Sequence, residues 1–228
     1  KFIARHAIKN KVKKIIFLSS GSVYGVKKTK NVTEDLKLNP ISVYNKTKMI
    51  AERVFLSYKD KIDITCVRPA TVCGYSPRQR LDVVVNILTN LAYHKREISI
   101  FGGDQLRPNI HIADMVEAYM VLLRAPKEKI AGKIYNAGYE NQTVKKIAET
   151  VKNVVGDDVK LITSHSDDNR SYHISSNKIK TELGFEAKHT IHDAVEDLCD
   201  AFDKNLLPNS LSDEMYFNIK RMQSVNLV

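Results

Sequence analysis

Hydrophobic residues occur in two kinds of stretch along the chain: short continuous runs and longer stretches with helical spacing. Short runs rich in β-branched residues predict buried strands, and apolar positions three or four residues apart predict amphipathic helices. The predicted extended segments span residues 12–20, 62–72, 98–101, 109–112, 133–137 and 159–163. The predicted helices span residues 43–58, 81–93, 114–123, 143–155, 176–183 and 191–202. This alternation predicts an α/β fold with a parallel sheet covered on both faces.

The ends of the predicted elements carry further signals. Thr143 is suited to cap the helix that follows it, and Gly156 to end that helix. Residues 207–228 have weak periodicity and are expected to form an ordered tail on the body of the protein. The chain is expected to begin inside a helix, and its nine glycines include no G-x-G-x-x-G turn. It therefore resembles the second part of a nucleotide-binding fold.

Composition limits the possible classes. With 228 residues and 43% hydrophobic content, the chain can bury a core as one domain or as a domain with a lobe. No apolar stretch is long enough to predict a membrane helix, and the basic start lacks the features of a signal peptide. The cysteines are widely spaced, at Cys66, Cys73 and Cys199. They are interpreted as reduced thiols of a cytoplasmic protein.

The net charge of +10 raises the possibility of nucleic-acid binding. Against it, the lysines are spread along most of the chain, there is no Trp, and basic and aromatic residues do not alternate. The charge is interpreted as a solvated surface that could help to attract a nucleoside diphosphate.

A candidate for chemistry lies where the first strand ends. SSGSVYG, from Ser19 to Gly25, follows an apolar run, and Tyr44 and Lys48 stand four residues apart on the next helix. They share a helix face, and a nearby ammonium favours the phenolate, which makes Tyr44 a candidate general base or acid. Tyr and Lys at this spacing often occur by chance on exposed helices. The preceding serines favour the catalytic interpretation.

Five motifs in order resemble the extended short-chain dehydrogenase/reductase family, and within it the nucleotide-sugar epimerases and dehydratases. They are SSGSVYG, PISVYNKTK, RPATVCG, IFGGDQLRPNIHIADM and IYNAG. The resemblance implies a Rossmann-like parallel sheet with a smaller substrate-binding lobe. Residues 1–75 would be the C-terminal half of the NAD-binding domain. Residues 76–228 would be mainly the lobe, with returning Rossmann elements near 109–155.

The resemblance also implies roles for individual residues. Tyr44 would shuttle the proton, Lys48 would orient the nicotinamide ribose, and Ser20 would supply the catalytic hydroxyl. Ser19, with Tyr44 and Lys48, would contact the cofactor. The residues expected to bind substrate are Ser22, Thr71, Asn86, Arg107 and Arg170. More ordinary roles are expected for four other residues: His111 as a structural histidine, Asp114 as a helix cap or first-turn charge, and Tyr24 and Cys73 as packing residues.

Two positions depart from the family pattern. Thr71 replaces an amide that often contacts sugar or phosphate. The sugar 4,6-dehydratases have an Asp-Glu pair after the catalytic hydroxyl, where this chain has Gly21 and Ser22. Neither residue can supply the acid and base that elimination of water requires.

The resulting hypothesis is an NAD-dependent epimerase of a nucleoside-diphosphate sugar that works through a transient 4-keto intermediate. NADP stays an alternative cofactor, and no metal is expected. The family implies a homodimer formed through a helix pair that includes the Tyr44 helix. The chain alone is expected to be inactive, because it lacks the glycine turn that holds the pyrophosphate. The alternatives are a nucleotide-sugar reductase, ketosugar dehydrogenase or dehydratase, and a non-catalytic remnant that binds sugar nucleotide or protein.

Overall fold

A computed structural model describes residues 1–27, 29, 31–165 and 173–226. Its helices are α1 (Phe2–Lys9), α2 (Val43–Leu56), α3 (Val84–Lys95), α4 (Ile112–Arg124), α5 (Lys127–Ile130), α6 (Val144–Val155), α7 (Asn177–Leu183), α8 (Ile191–Asp203) and α9 (Asn218–Ser224). Its strands are β1 (Lys14–Leu18), β2 (Asp63–Pro69), β3 (Thr71–Cys73), β4 (Glu97–Phe101), β5 (Leu106–His111), β6 (Ile134–Ala137), β7 (Glu140–Thr143) and β8 (Lys160–Ser164). Two 3₁₀ turns span Gly21–Tyr24 and Glu214–Tyr216.

The described strands form three small sheets. In the first, β1, β2 and β6 lie side by side and run parallel. In the second, β5 pairs with β3 in parallel and with β7 in antiparallel orientation. The third sheet is the parallel pair β4 and β8. The predicted α/β class is confirmed, whereas the antiparallel β7 was not predicted.

The prediction of one continuous strand over residues 62–72 is wrong. The chain leaves the first sheet after Pro69, and Thr71 begins β3 in the second sheet. The backbone N–H of Ala70 donates to the carbonyl of Ala137 at 2.7 Å, which holds the crossing point beside the end of β6. The hydrophobic run continues through this point because β2 is largely buried and β3 is half-buried or buried along its length.

Helix ends follow the capping rules. The Thr143 hydroxyl accepts from the backbone N–H of Lys146, and Gly156 follows the last residue of α6. Helix α4 begins two residues earlier than predicted because the ring of His111 accepts from the backbone N–H of Ala113. Asp114 is not the cap but lies in the first turn of α4, as the alternative prediction had it. Its carboxylate accepts from the backbone N–H groups of Lys188 and His189.

Two large apolar clusters hold these layers together. One lies between the first two sheets and α4, and includes Tyr24, Val67, Ile110, Met115 and Tyr135. The other lies among α3, α6, α8 and the third sheet, and includes Val85, Leu88, Ile147, Val151 and Val195. Leu207 is buried with α8 in a smaller cluster, and Tyr216 and Phe217 pack against that cluster. Residues 207–217 therefore lie on the body as expected. Within the described ranges, no helix has the length and apolar character needed to span a membrane.

Candidate active site

Residues 20–25, which we call the serine turn, lie just after the end of β1. The Ser20 hydroxyl accepts from the backbone N–H of Ser22 at 3.2 Å and so caps the 3₁₀ turn. Gly21 lies against the backbone of β2: a side-chain carbon there would lie 3.1 Å from the Pro69 carbonyl oxygen. Gly25 has a φ of 67°, a left-handed conformation that favours glycine. The glycines therefore allow the turn to pack closely while it places two serine hydroxyls beside α2.

Helix α2 presents Tyr44 and Lys48 at the same strand end. Ser42 begins the helix by accepting from the backbone N–H of Asn45 at 3.2 Å. The Lys48 ammonium donates to the Leu18 carbonyl at 2.8 Å and lies 5.7 Å from the centre of the Tyr44 ring. It also lies 5.5 Å from the Phe17 ring. The cation is thus fixed between the last residues of β1 and Tyr44, a residue that is 55% exposed.

A chain of side chains joins the serine turn to α2. The Ser22 hydroxyl donates to the Asn45 Oδ1 at 2.7 Å, and the Ser20 and Ser22 oxygens lie 2.7 Å apart. Asn45, directly after Tyr44, is buried. The sequence analysis missed its role, since the interacting residues are far apart in the chain. The structure therefore brings Ser20 and Ser22 to the helix that carries Tyr44 and Lys48.

Ser19, directly before the serine turn, is also buried. Its hydroxyl has no hydrogen-bond partner among the residues that the structure describes. Buried hydroxyl groups are usually paired, so the Ser19 hydroxyl retains a hydrogen-bonding capacity that no described group uses.

A second connection between the serine turn and α2 is made by Arg68 on β2. Its guanidinium donates two hydrogen bonds to the Glu52 carboxylate, at 2.9 and 2.8 Å, and one to the Tyr24 hydroxyl at 2.7 Å. The Tyr24 hydroxyl in turn donates to the Asn136 Oδ1 at 2.7 Å. The sequence analysis did not identify Glu52. Its position four residues after Lys48, on the same face of the helix, is the sequence signal that could have indicated it. We call these four residues (Tyr24, Glu52, Arg68 and Asn136) the arginine cluster.

The electrostatics of the arginine cluster indicate a structural role. Burial raises the pKa of Tyr24 to about 12, although Arg68 opposes this shift. Burial alone would lower the pKa of Arg68, but the hydrogen bonds to Glu52 and Tyr24 raise it above its ordinary value. Burial also raises the pKa of the neighbouring Glu34, whose carboxylate accepts from the backbone N–H of Asn136 at 2.7 Å. Tyr24 is therefore held neutral and fully bonded.

The other predicted substrate residues lie in separate elements. Asn86 on α3 is buried, and its amide accepts from the Gly74 N–H at 3.2 Å and donates to the Arg80 carbonyl at 2.8 Å. Its observed function is thus to hold the loop after β3. Thr71 begins β3, and Arg107 is half-buried on β5. Arg170 lies outside the described residues. The roles of these residues in substrate binding stay predictions.

His111 and Cys73 have the ordinary roles expected of them. His111 caps α4, and its other ring nitrogen lies 3.1 Å from the Asp197 carboxylate. Cys73 is buried in the second apolar cluster, and burial raises its thiol pKa to about 12, which makes it a poor nucleophile.

A family model described as the NAD dependent epimerase/dehydratase family matches residues 3–138. This range includes the serine turn, Tyr44 and Lys48. The chain belongs to this family. The matched range also contains most of the first two sheets, so family membership covers the region in which the candidate site lies.

Known relatives include enzymes that act on nucleotide sugars. A UDP-glucose 4-epimerase of Lactobacillus helveticus is 29% identical over 204 residues, which cover 78% of this chain and 60% of that enzyme. The chain thus spans less than two thirds of that relative's length. The solved UDP-glucose 4-epimerase of Thermotoga maritima with UDP-glucose has a TM-score of 0.79 and 26% identity. The match covers 90% of this chain and 68% of that one.

A second solved structure, the dTDP-glucose 4,6-dehydratase of Streptomyces venezuelae with NAD bound, has a TM-score of 0.79 and 19% identity. The match covers 93% of this chain and 66% of that one, and it shows the fold alone. The likeness to both structures confirms the predicted Rossmann-like α/β fold.

Proposed function

We propose that this protein is an NAD-dependent epimerase of a nucleoside-diphosphate sugar that works through a transient 4-keto intermediate. The observation that carries the proposal is the position of the Lys48 ammonium, between the end of β1 and the Tyr44 ring and beside the serine turn. The family supports an enzyme that acts on nucleotide sugars. Relatives that are UDP-glucose 4-epimerases favour a UDP-sugar.

The candidate site has the groups that sugar oxidation requires. Tyr44 would take the proton of a sugar hydroxyl, with the Lys48 ammonium 5.7 Å from the centre of its ring. Ser20 would hydrogen-bond the same sugar oxygen. Ser19, Tyr44 and Lys48 fit the nicotinamide end of NAD, because the buried Ser19 hydroxyl and the Lys48 ammonium can both donate there. When bound, NAD would accept the sugar hydride and return it to the other face, which inverts the centre.

Residues 21 and 22 favour epimerisation over loss of water. The Ser22 hydroxyl is bonded to Asn45. A side-chain carbon at Gly21 would lie 3.1 Å from the Pro69 carbonyl oxygen, which is close contact and not overlap. The two positions offer neither a carboxylic acid nor a carboxylate to drive elimination. A nucleotide-sugar reductase or ketosugar dehydrogenase, which would use the same tyrosine and lysine, is the second candidate. A non-catalytic remnant that binds sugar nucleotide or protein is the third.

Substrate contacts and cofactor type complete the proposal. Ser22, Thr71, Asn86, Arg107 and Arg170 would hold the nucleotide sugar, with the arginines at the diphosphate. NAD is the proposed cofactor, in keeping with the family description, and NADP is the alternative. The proposed division places residues 1–75 in the cofactor domain. Strand β6 lies in the second part of the chain but pairs with β2 of the first. This pairing supports the proposal that Rossmann elements return near residues 109–155.

We also propose a cytoplasmic homodimer formed through a helix pair that includes α2. The apolar side chains of Val43 and Ile50 on this helix are 77% and 55% exposed, which supports a further contact at its outer face.

The test is to offer UDP-hexoses to the intact enzyme with NAD and to follow both the sugars and the reduced-nicotinamide absorbance. An epimerase interconverts the sugars without net change in absorbance. A dehydrogenase raises the absorbance, a dehydratase forms a product lighter by one water, and a reductase consumes the absorbance when a UDP-ketosugar is offered with NADH. Any of these three results, or no turnover at all, would contradict the proposal.

A further inference from the structure

Asn45 ends a line of three polar side chains that begins at the proposed catalytic hydroxyl. Its Oδ1 lies 2.7 Å from the Ser22 oxygen, which lies 2.7 Å from the Ser20 oxygen. Asn45 is only 7% exposed, and a polar side chain in such a position is normally held by its bonds. The line runs from α2, one residue after Tyr44, to the turn after β1.

The number of hydroxyl protons determines which group donates and which accepts at each step of this line. Each serine hydroxyl carries one proton, and that of Ser22 is donated to Asn45. The contact between the two serines is then made with the proton of Ser20. In this state Ser20 presents only lone pairs to a ligand. The sugar hydroxyl has a single proton, which the proposed function assigns to Tyr44, and a keto oxygen has none. Ser20 must therefore donate to the sugar oxygen both before and after oxidation.

The direction reverses if the Asn45 amide turns by half a rotation. Its NH₂ group would then donate to Ser22, Ser22 to Ser20, and Ser20 to the sugar oxygen. An amide can support both directions because it carries an acceptor on one side and donors on the other.

We propose that Asn45 is a positioning residue that sets the direction of the Ser20 hydroxyl through Ser22, and so allows Ser20 to donate to the sugar oxygen that is oxidised. The proposal rests on the proposed function, because it assumes that Ser20 contacts the sugar oxygen that is oxidised.

A structural alternative is that Asn45 only fastens the turn to the helix, and Asn45→Asp separates the two roles. Aspartate has almost the same size and can still accept from Ser22. It would stand in the first turn of α2, at the residue whose N–H bonds to Ser42, where the helix dipole favours a negative charge. If Asn45 only fastens the turn to the helix, Asn45→Asp should therefore have little effect. If Asn45 sets the direction of the Ser20 hydroxyl, the substitution should slow the reaction, because a carboxylate only accepts and so keeps Ser20 as a donor to Ser22.

A carboxylate beside Tyr44 would also disfavour the phenolate form, so the charge needs its own control. That effect moves the pH dependence of the rate and is overcome on the high-pH plateau. It should also persist when Ser22 is replaced by alanine, whereas an effect on direction requires the Ser22 hydroxyl. A double-mutant cycle with Ser22→Ala therefore distinguishes charge from direction.

The experiment uses the intact enzyme, Asn45→Asp, Ser22→Ala and the double variant. Sugar oxidation is followed in a single turnover by the reduced-nicotinamide absorbance, on the high-pH plateau and with saturating UDP-sugar. We expect Asn45→Asp to slow this step on the order of tenfold when Ser22 is present, and by less than about twofold when it is absent. Unfolding by denaturant should show Asn45→Asp to be as stable as the wild type.

Equal slowing in both backgrounds, or a full rate in Asn45→Asp, would overturn the proposal. So would coupling that appears in stability but not in rate, because it would assign a fastening role only. The oxidation step is common to the epimerase, dehydrogenase and dehydratase alternatives. An enzyme that oxidises the sugar but forms no epimer would therefore refute the proposed function and still test Asn45. An enzyme that oxidises no sugar would refute both.

Discussion

Tyr24 and Tyr44 belong to two segments that meet beyond the end of β1, yet their surroundings differ in every respect that matters for proton transfer. Tyr24 is fully buried, and its hydroxyl contacts Arg68 and Asn136. Tyr44 is 55% exposed, and the Lys48 ammonium lies 5.7 Å from its ring. Residue type alone does not make a catalyst. A tyrosine becomes available for chemistry only when its hydroxyl is not already committed to the fold.

The same contrast exists along one helix. Tyr44, Lys48 and Glu52 follow one another at intervals of four residues on α2, so they share one face. The first two lie at the strand end, where a ligand can approach. Glu52 is buried and bonded twice to Arg68. The carboxyl-terminal half of the helix is therefore anchored, and this anchoring holds the amino-terminal half with Tyr44 in place.

The largest expected effect is on catalysis. Tyr44→Phe in the intact enzyme should reduce kcat about 10²–10⁴-fold, the usual contribution of a general base. Circular dichroism should show an unchanged fold, since the ring is largely exposed. Tyr24→Phe is the matched control: it should lower stability and leave most of the turnover. Near-normal turnover in Tyr44→Phe would show that the two tyrosines have been assigned the wrong roles.

The next effect is on stability. Arg68→Met should lower the free energy of unfolding by about 3–5 kcal/mol, because it leaves the Glu52 carboxylate buried without its partner. The double variant Arg68→Met/Glu52→Met should be closer to the wild type, since no unpaired charge is then left. Denaturant unfolding measures both. If the double variant is as unstable as the single one, the loss comes from packing or Tyr24 and not from the unpaired charge.

A second arginine sharpens the contrast between anchoring and binding. Arg107→Ala should weaken nucleotide-sugar binding by about 1.5–3 kcal/mol, as expected for a charge-assisted bond to a diphosphate. The change should appear in KM and leave kcat nearly unchanged. Steady-state kinetics with varied UDP-sugar provides the measurement. A fall in kcat at constant KM would assign Arg107 to another role.

The smallest effect concerns Glu34, which contacts the arginine cluster from its edge. Because burial raises its pKa in the folded protein, the folded state holds this proton more tightly than the unfolded chain does. Stability associated with the protonated form is then lost as pH rises from about 4 through the raised pKa. Glu34→Gln should therefore gain stability relative to the wild type as pH increases across this window. Urea unfolding at several pH values tests this, and a pH-independent difference would contradict it.

Local regularities determined much of this protein from sequence alone. The alternation of strands and helices, the Thr143 cap and the common face of Tyr44 and Lys48 depend on residues at most four positions apart. The backbone geometry of a helix relates such residues directly, so their pattern can be interpreted without knowledge of the fold.

Only the tertiary structure decided the long-range pairings. The bond from Ser22 to Asn45 joins residues 23 positions apart, and that from Arg68 to Tyr24 joins residues 44 positions apart. The passage of the chain from the first sheet to the second at Ala70 depends on which distant strands lie beside β2 and β3. The antiparallel orientation of β7 likewise depends on its pairing with β5. No periodicity encodes these partners. They are selected by burial and by the requirement that buried polar groups be paired, and both apply only once the chain has folded.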